Sequence, residues 1–600
     1  MYELKHRSEV APESKWNLTT IFTSDEAWQN SFDALAASLN QIETFSGRLG
    51  ESAESLLSCL ALLYELQVDT YRLYLFSHLK KDEDTTNSFY QGMADNAASL
   101  NTKFQAAISF IEPEIIAIGQ EKINVYMDTN DGLKIYRQFF DNILRLKNHI
   151  LTSDNEEILA KADEIGQASQ NIFTMLNNAD IVFAKAADSN GNEHEVNHAS
   201  YSALMEKPDR TLRKNTFHNV IDAYIAQKNT IATAYSHSVK ANLFTAGVRK
   251  YGSALDAALS VYNIPKAIYK NLIDTVSDNL HIFHRYLGIR KRCLKYDELH
   301  MWDMSVPIVE NANTYMSWPD AKTIVTDGLA VLGPEYQDLL RKGFSEGWVD
   351  VYGNKGKRSG AYSWSTFGFK HPYVLMNYDD TIDDMFTLAH EMGHAMHYNY
   401  SHATQPVMYS SYSMFLAEVA STVNEALLMN HLLSTTTDKI QYNYLLNYFI
   451  QKFVGTFFRQ TMLAEFEMLT HEMAEQGKPL TADTLSQLYR NLLTKHNGTG
   501  LNIDDKAGYH WSRIPHFYRT FYVYQYATGF AASMALSKKI RNEGAPAVEK
   551  YLNLLKSGCK DYSTNLLNEA GVDMTSPEPI KDALVVFEDL LDRFEKSVFQ

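Results

Sequence analysis

The stretch "FTLAHEMGHAMHYNY", Phe386 to Tyr400, places His390, Glu391, His394 and His397 within eight residues. Just upstream, "TIDD" sets Thr381 and Asp384 at capping-box spacing, a helix-start signal. Apolar Ile382, Met385, Ala389 and Met392 form one stripe after it, so the spacing predicts a helix running through the histidines. Four residues apart, His390 and His394 leave the same face about 6 Å apart along the axis, a separation from which two imidazoles converge on one ion. Glu391 comes directly after His390, placed to reach a water on that ion without ligating it.

A catalytic zinc takes three protein ligands and keeps its fourth position for water. His397 lies roughly 10.5 Å from His390 along a continuous helix. It joins the site only if the helix ends between them, and otherwise lines the cleft. The metzincin pattern fails, because it needs Gly at position 397 and His at 400, where this chain has His397 and Tyr400. A glutamate 19 or 20 residues beyond the second histidine, as in thermolysin-like sites, would fall at Ser413 or Met414, and that class fails too.

The chain carries its next glutamates on "MFLAEVASTVNEALL", Met414 to Leu428, with Phe415, Val419, Val423 and Leu427 as an apolar stripe. Glu418 stands 24 positions after His394 (418 minus 394), far enough for a second helix to return and supply the third ligand. Glu425, two turns further on the same face, either hydrogen-bonds the outer nitrogen of a ligating histidine or sits on a solvated face.

Outward from this centre the chain reads as mostly helical. "LLSCLALLYELQVDTYRLYLFSHL", Leu56 to Leu79, shows helical spacing within a segment low in Gly and Pro from about Glu26 to Asp180. "DIVFAKAADSNGNEHEV", Asp180 to Val196, breaks that grammar with an Asn-Gly turn and predicts a β-hairpin. Helices resume from about Ala199, with "PDR" at Pro208 to Arg210 opening one. "VDVYGNKGKRSGAYSWSTFGFKHPYVLMNYDD", Val349 to Asp380, predicts a small sheet around "PYVLMNY". Its "GNKGKRSG" lacks Walker spacing and reads as a solvated, flexible loop. After "SPEP", the residues Ile580, Ala583, Leu584, Phe587, Leu591 and Phe594 keep helical spacing to the end.

Composition narrows the function. The 600 residues exceed what one core usually serves. A formal charge of −17 with no Lys/Arg run argues against nucleic acid. Three dispersed cysteines, Cys59, Cys293 and Cys559, encode neither a disulfide framework nor a thiolate zinc site. There is no apolar run of signal-peptide or membrane-spanning type, so the expected location is cytoplasmic, without membrane partners.

With these residues assembled, the chain resembles oligoendopeptidase F, of the thimet oligopeptidase-like zinc metallopeptidases. The resemblance runs over nearly the whole chain, through "SKWNLTTIFTSDEAW", "GKRSGAY", "HPYVLMNY", "HEMGHAMH", "FLAEVAST" and "IPHFYRTFYVYQYATG". It implies a mainly α, two-lobed body enclosing a deep channel, with the small β-sheet beside the zinc-binding helix. The implied division is residues 1–110 and 111–198 as the N-terminal lobe and 199–600 as the catalytic domain. The resemblance makes Glu418 the third ligand of one Zn2+ per chain. His516 and Tyr522 or Tyr526 would hold substrate and stabilise the oxyanion, with Tyr522 preferred.

Tyr518, Tyr522 and Tyr526 recur every fourth residue, so on a helix they form one stripe. The glycine-rich loop of the thimet branch is absent from "HFYRTFYVYQY", which leaves the tyrosine correspondence open. The implied substrates are short unstructured peptides cut internally. A dipeptidyl carboxypeptidase-type exopeptidase and a non-catalytic peptide-binding protein are the alternatives.

Overall fold

A computed structural model describes residues 4–309, 312, 314–366 and 368–600, with backbone alone at 153, 154, 157, 160 and 164. The chain forms two compact units, each assembled from three stretches. The first comprises Met1–Asn148, Thr314–Leu432 and Leu536–Val572, and the second His149–Asn313, Leu433–Ala535 and Asp573–Gln600.

Both units are built mainly from helices. In the first, the predicted Leu56–Leu79 helix extends over Ala53–Glu83, capped by the Ser52 hydroxyl, which accepts from Ser55 N–H. Its buried face includes Leu56, Leu60, Leu63, Leu73, Phe76 and Leu79. In the second unit the C-terminal helix spans Glu578–Phe599 and buries all six residues of its predicted stripe. The "PDR" signal also holds: Asp209 caps the helix Arg210–Ala226 by accepting from Leu212 N–H. The Asn-Gly hairpin is present but short, pairing Ala186–Ala187 with Glu193–His194.

The small sheet lies in the first unit. Val349–Asp350 runs parallel to Tyr373–Leu375, which pairs antiparallel with Tyr362–Trp364, so Tyr362–Trp364 is an edge strand. The N-terminal segment extends this sheet's support: Val351 N–H donates to Ser14 O at 2.9 Å, and Asn17 N–H to Gly347 O at 2.7 Å.

Of "GNKGKRSG", Lys355, Arg358, Ser359 and Gly360 are exposed, as expected of a solvated loop, while Asn354 and the Lys357 side chain are buried. The loop is pinned, because Asp350, fully buried, needs counter-charges that sequence spacing does not reveal. Lys357 meets it at 2.7 Å with its side chain fully buried. Arg7 pairs with the same carboxylate, and Arg358 pairs with Asp82 at 3.1 Å. Among the described residues no helix is long and apolar enough to cross a membrane.

Candidate metal centre

The histidine helix spans Ile382–Thr404 and starts as its sequence predicts. Thr381 accepts from Asp384 N–H while the Asp384 carboxylate accepts from Thr381 N–H. Ile382, Met385, Ala389 and Met392 are buried. The second helix, Met414–Thr435, buries Phe415, Val419, Val423 and Leu427.

Gly393 sets how closely these two helices approach. A Cβ there would lie 2.5 Å from Ser421 Cα and 2.7 Å from Ala420 O, so backbone meets backbone directly. Asn424 ties the pair further by donating to Ala389 O at 3.1 Å, and Tyr336 donates to Asn424 at 2.8 Å. Neither Gly393, Asn424 nor Tyr336 carries a sequence signal of this role, since each acts through a tertiary contact.

The close approach brings one ligand atom each from His390, His394 and Glu418 within 4.8 Å of one another. Glu418 Oε2 lies 3.3 Å from His390 Nε2 and 3.9 Å from His394 Nε2. Ligand atoms about 2.1 Å from a tetrahedral ion stand about 3.4 Å apart, so the spacing fits a zinc-sized cation.

The chemistry of the donors fits as well. Glu425 Oε1 is 2.6 Å from His390 Nδ1, which therefore donates to it. In a neutral His390 ring this leaves the Nε2 lone pair facing the Glu418 carboxylate, acceptor against acceptor. A second proton or a cation must lie between them. Burial alone would lower the His390 pKa, but hydrogen bonds to Glu418 and Glu425 outweigh it and raise it to about 10. Burial, aided by the His390 charge, takes His394 down to about 4. Burial would raise Glu418, yet the His390 hydrogen bond and the charges of both histidines bring it down to about 2. A cation shared by all three satisfies the cluster in one step.

Glu391 is buried beside the cluster, with the backbone N–H of Ser363 on the edge strand acting to hold its pKa down. Burial pushes its pKa up to about 7; His390 opposes this, and Glu418 and Glu425 add to it. Ser363 is a contact the sequence does not advertise, because a main-chain donor leaves no trace in residue type.

His397 is outside the cluster. The helix continues past it, so it faces the interior, 1% exposed, stacked on Tyr412 with ring centroids 3.8 Å apart and neither ring nitrogen hydrogen-bonded. It does not line an open cleft.

His516, Tyr522 and Tyr526 belong to the second unit and gather there. His516 lies 6.4 Å from Tyr522 and 6.0 Å from Tyr526, and the two tyrosine rings are 5.3 Å apart and perpendicular. The expected single tyrosine stripe is not present. A short 3-10 turn, Pro515–Tyr518, ends before the helix Tyr524–Glu543 begins, so the three tyrosines do not share one helix. Tyr518 points elsewhere, stacking on Phe173 at 4.6 Å.

Among known protein families, the model of "Peptidase family M3" matches residues 203–586, and that of "Oligopeptidase F" matches residues 114–183. The chain is similar to oligopeptidase PepF of Bacillus subtilis, 44% identical over 598 residues, covering 100% of this chain and 89% of that one. It is similar to group B oligopeptidase PepB of Streptococcus agalactiae, 37% identical, with 99% and 98% covered. The crystal structure of oligoendopeptidase-F from Enterococcus faecium superposes with a TM-score of 0.75 at 35% identity, covering 96% of this chain and 99% of that one. Likeness of that extent leaves no part of the chain to another architecture: it belongs to peptidase family M3 and is a metallo-endopeptidase that cleaves oligopeptides.

Proposed function

We propose that the metal is zinc, one per chain, held by His390, His394 and Glu418, and that Glu391 is the general base and acid of peptide hydrolysis. The observation that supports this most is the placement of Glu418 against both histidine Nε2 atoms while Glu425 engages the outer nitrogen of His390. Zinc in that position supplies Lewis acidity, lowering the pKa of a water and polarising a carbonyl. Glu391 takes the proton of the attacking water and returns it to the leaving amine. Glu425 fixes the tautomer and direction of His390. His516 and Tyr522, with Tyr526 as the second tyrosine, are the proposed donors to the oxyanion, a role carried to them by resemblance.

The substrates are short unstructured peptides, and the edge strand Tyr362–Trp364 offers main-chain groups with which an extended peptide pairs. Three unpaired cysteines suit a reducing compartment, and we place the enzyme in the cytoplasm.

The test is mass-spectrometric mapping of products from a peptide of about ten residues blocked at both ends, long enough to lie extended through a cleft. The expected result is internal cuts that vanish on chelation and return with zinc. A blocked peptide that stays intact while its free-ended counterpart loses terminal dipeptides would contradict internal cleavage by this site.

A further inference from the structure

The tract that carries Tyr522 is held by a residue outside it. Phe521 has φ of +50°, in the left-handed region that a bulky side chain rarely adopts and that persists only where the surroundings impose it. The Phe521 amide is held by Glu467, on the helix Arg459–Glu475. Glu467 is fully buried, and its Oε1 accepts the backbone N–H of Phe521 at 2.6 Å.

The next residue back is pinned as well. Thr520 Oγ1 donates to Asn242 Oδ1 at 2.8 Å, Asn242 Nδ2 donates to His471 Nε2 at 3.1 Å, and His471 Nδ1 donates to Glu467 O at 2.8 Å. The Phe521 ring packs 4.5 Å from the His471 ring and 5.8 Å from Tyr269. Immediately after this anchor the chain turns, with Tyr522 N–H donating to Arg519 O and Gln525 N–H to Tyr522 O, and the helix from Tyr524 begins.

A buried carboxyl is a costly way to hold one amide, and its second oxygen has no hydrogen-bond partner. Burial drives its pKa upward against the opposing Phe521 N–H, and the oxygen facing that amide is the acceptor. A core that needed only packing would be served better by an apolar side chain.

We propose that Glu467 is a positioning residue for peptide hydrolysis: by fixing Thr520–Phe521 it fixes where the Tyr522 hydroxyl stands relative to His516 and Tyr526. This rests on Tyr522 being an oxyanion donor, as proposed above.

The experiment is a double-mutant cycle read as kcat and KM on the end-blocked peptide, with thermal melts on every variant. E467L is expected to lower kcat about tenfold or more, approaching the loss in Y522F, with KM changed less than about threefold. E467Q, whose amide keeps a carbonyl acceptor, restores most of that kcat. The double variant E467L/Y522F is no slower than Y522F alone, because misplacing a hydroxyl that is absent costs nothing. If E467L does not fold, E467D, which withdraws the carboxyl by one methylene, carries the same cycle.

Losses that multiply in the double variant, or a melting-temperature drop with unchanged kcat, overturn the positioning role while leaving Tyr522 a donor. Parental activity in Y522F overturns the donor assignment itself, and the positioning role with it.

Discussion

The helix pair around His390 and the tract from His516 to Tyr526 hold their proposed functional side chains by different means. Around His390 the fixing contacts are polar and made to the side chains themselves: Glu425 to His390, and Ser421 Oγ to Glu418 at 3.4 Å. In the tract the rings touch one another, and the polar contacts fall beside them, at Thr520 and Phe521. A charge that must meet a cation is best oriented by direct hydrogen bonds, whereas a hydroxyl donor is placed by the turn that carries it. The first arrangement should therefore fail one residue at a time, and the second through its backbone.

The largest effect is expected from Glu391→Gln. Removing the base should cut kcat roughly a thousandfold or more while zinc content and KM stay close to parental values. Comparable turnover in this variant would contradict the assignment. Tyr522→Phe should cost about a hundredfold in kcat with an unchanged melting temperature. An equal loss in Tyr518→Phe would show that the two tyrosines are not distinguished as the structure has them, since Tyr518 is stacked away on Phe173.

Glu425→Gln weakens the contact that orients His390. The amide no longer accepts a proton from His390 with a full charge, and zinc affinity measured by competition with a chromophoric chelator should fall about 10- to 100-fold. Activity at saturating zinc should largely recover. His397→Phe is expected to do least: the ring nitrogens make no hydrogen bond and the stack on Tyr412 is kept, so stability should shift by less than about 1 kcal/mol. Loss of zinc in that variant would return His397 to the ligand set.

Much of this was legible in the chain. The helix period around Thr381–Met392 and along Glu578–Phe599 is a local signal, and the structure follows it. The grouping of His390 with His394 was legible in their four-residue spacing, whereas Glu418 was singled out by the family resemblance, and the structure brings the three together. Gly393 and Asn424 were not legible, since a close backbone approach and a cross-helix bond appear only once distant segments meet. The fourfold spacing of Tyr518, Tyr522 and Tyr526 misled for a related reason. It is helical in period, but Glu467 and Asn242 hold the intervening turn in a conformation that no helix has.

Zinc analysis by mass spectrometry of purified Glu418→Ala and Glu391→Gln, side by side with the parent, separates the metal ligand from the base. One zinc per chain in the parent and in Glu391→Gln, with zinc lost from Glu418→Ala, is the predicted result. Full zinc in Glu418→Ala, or its loss from Glu391→Gln, would contradict the division of ligand and base on which the mechanism stands.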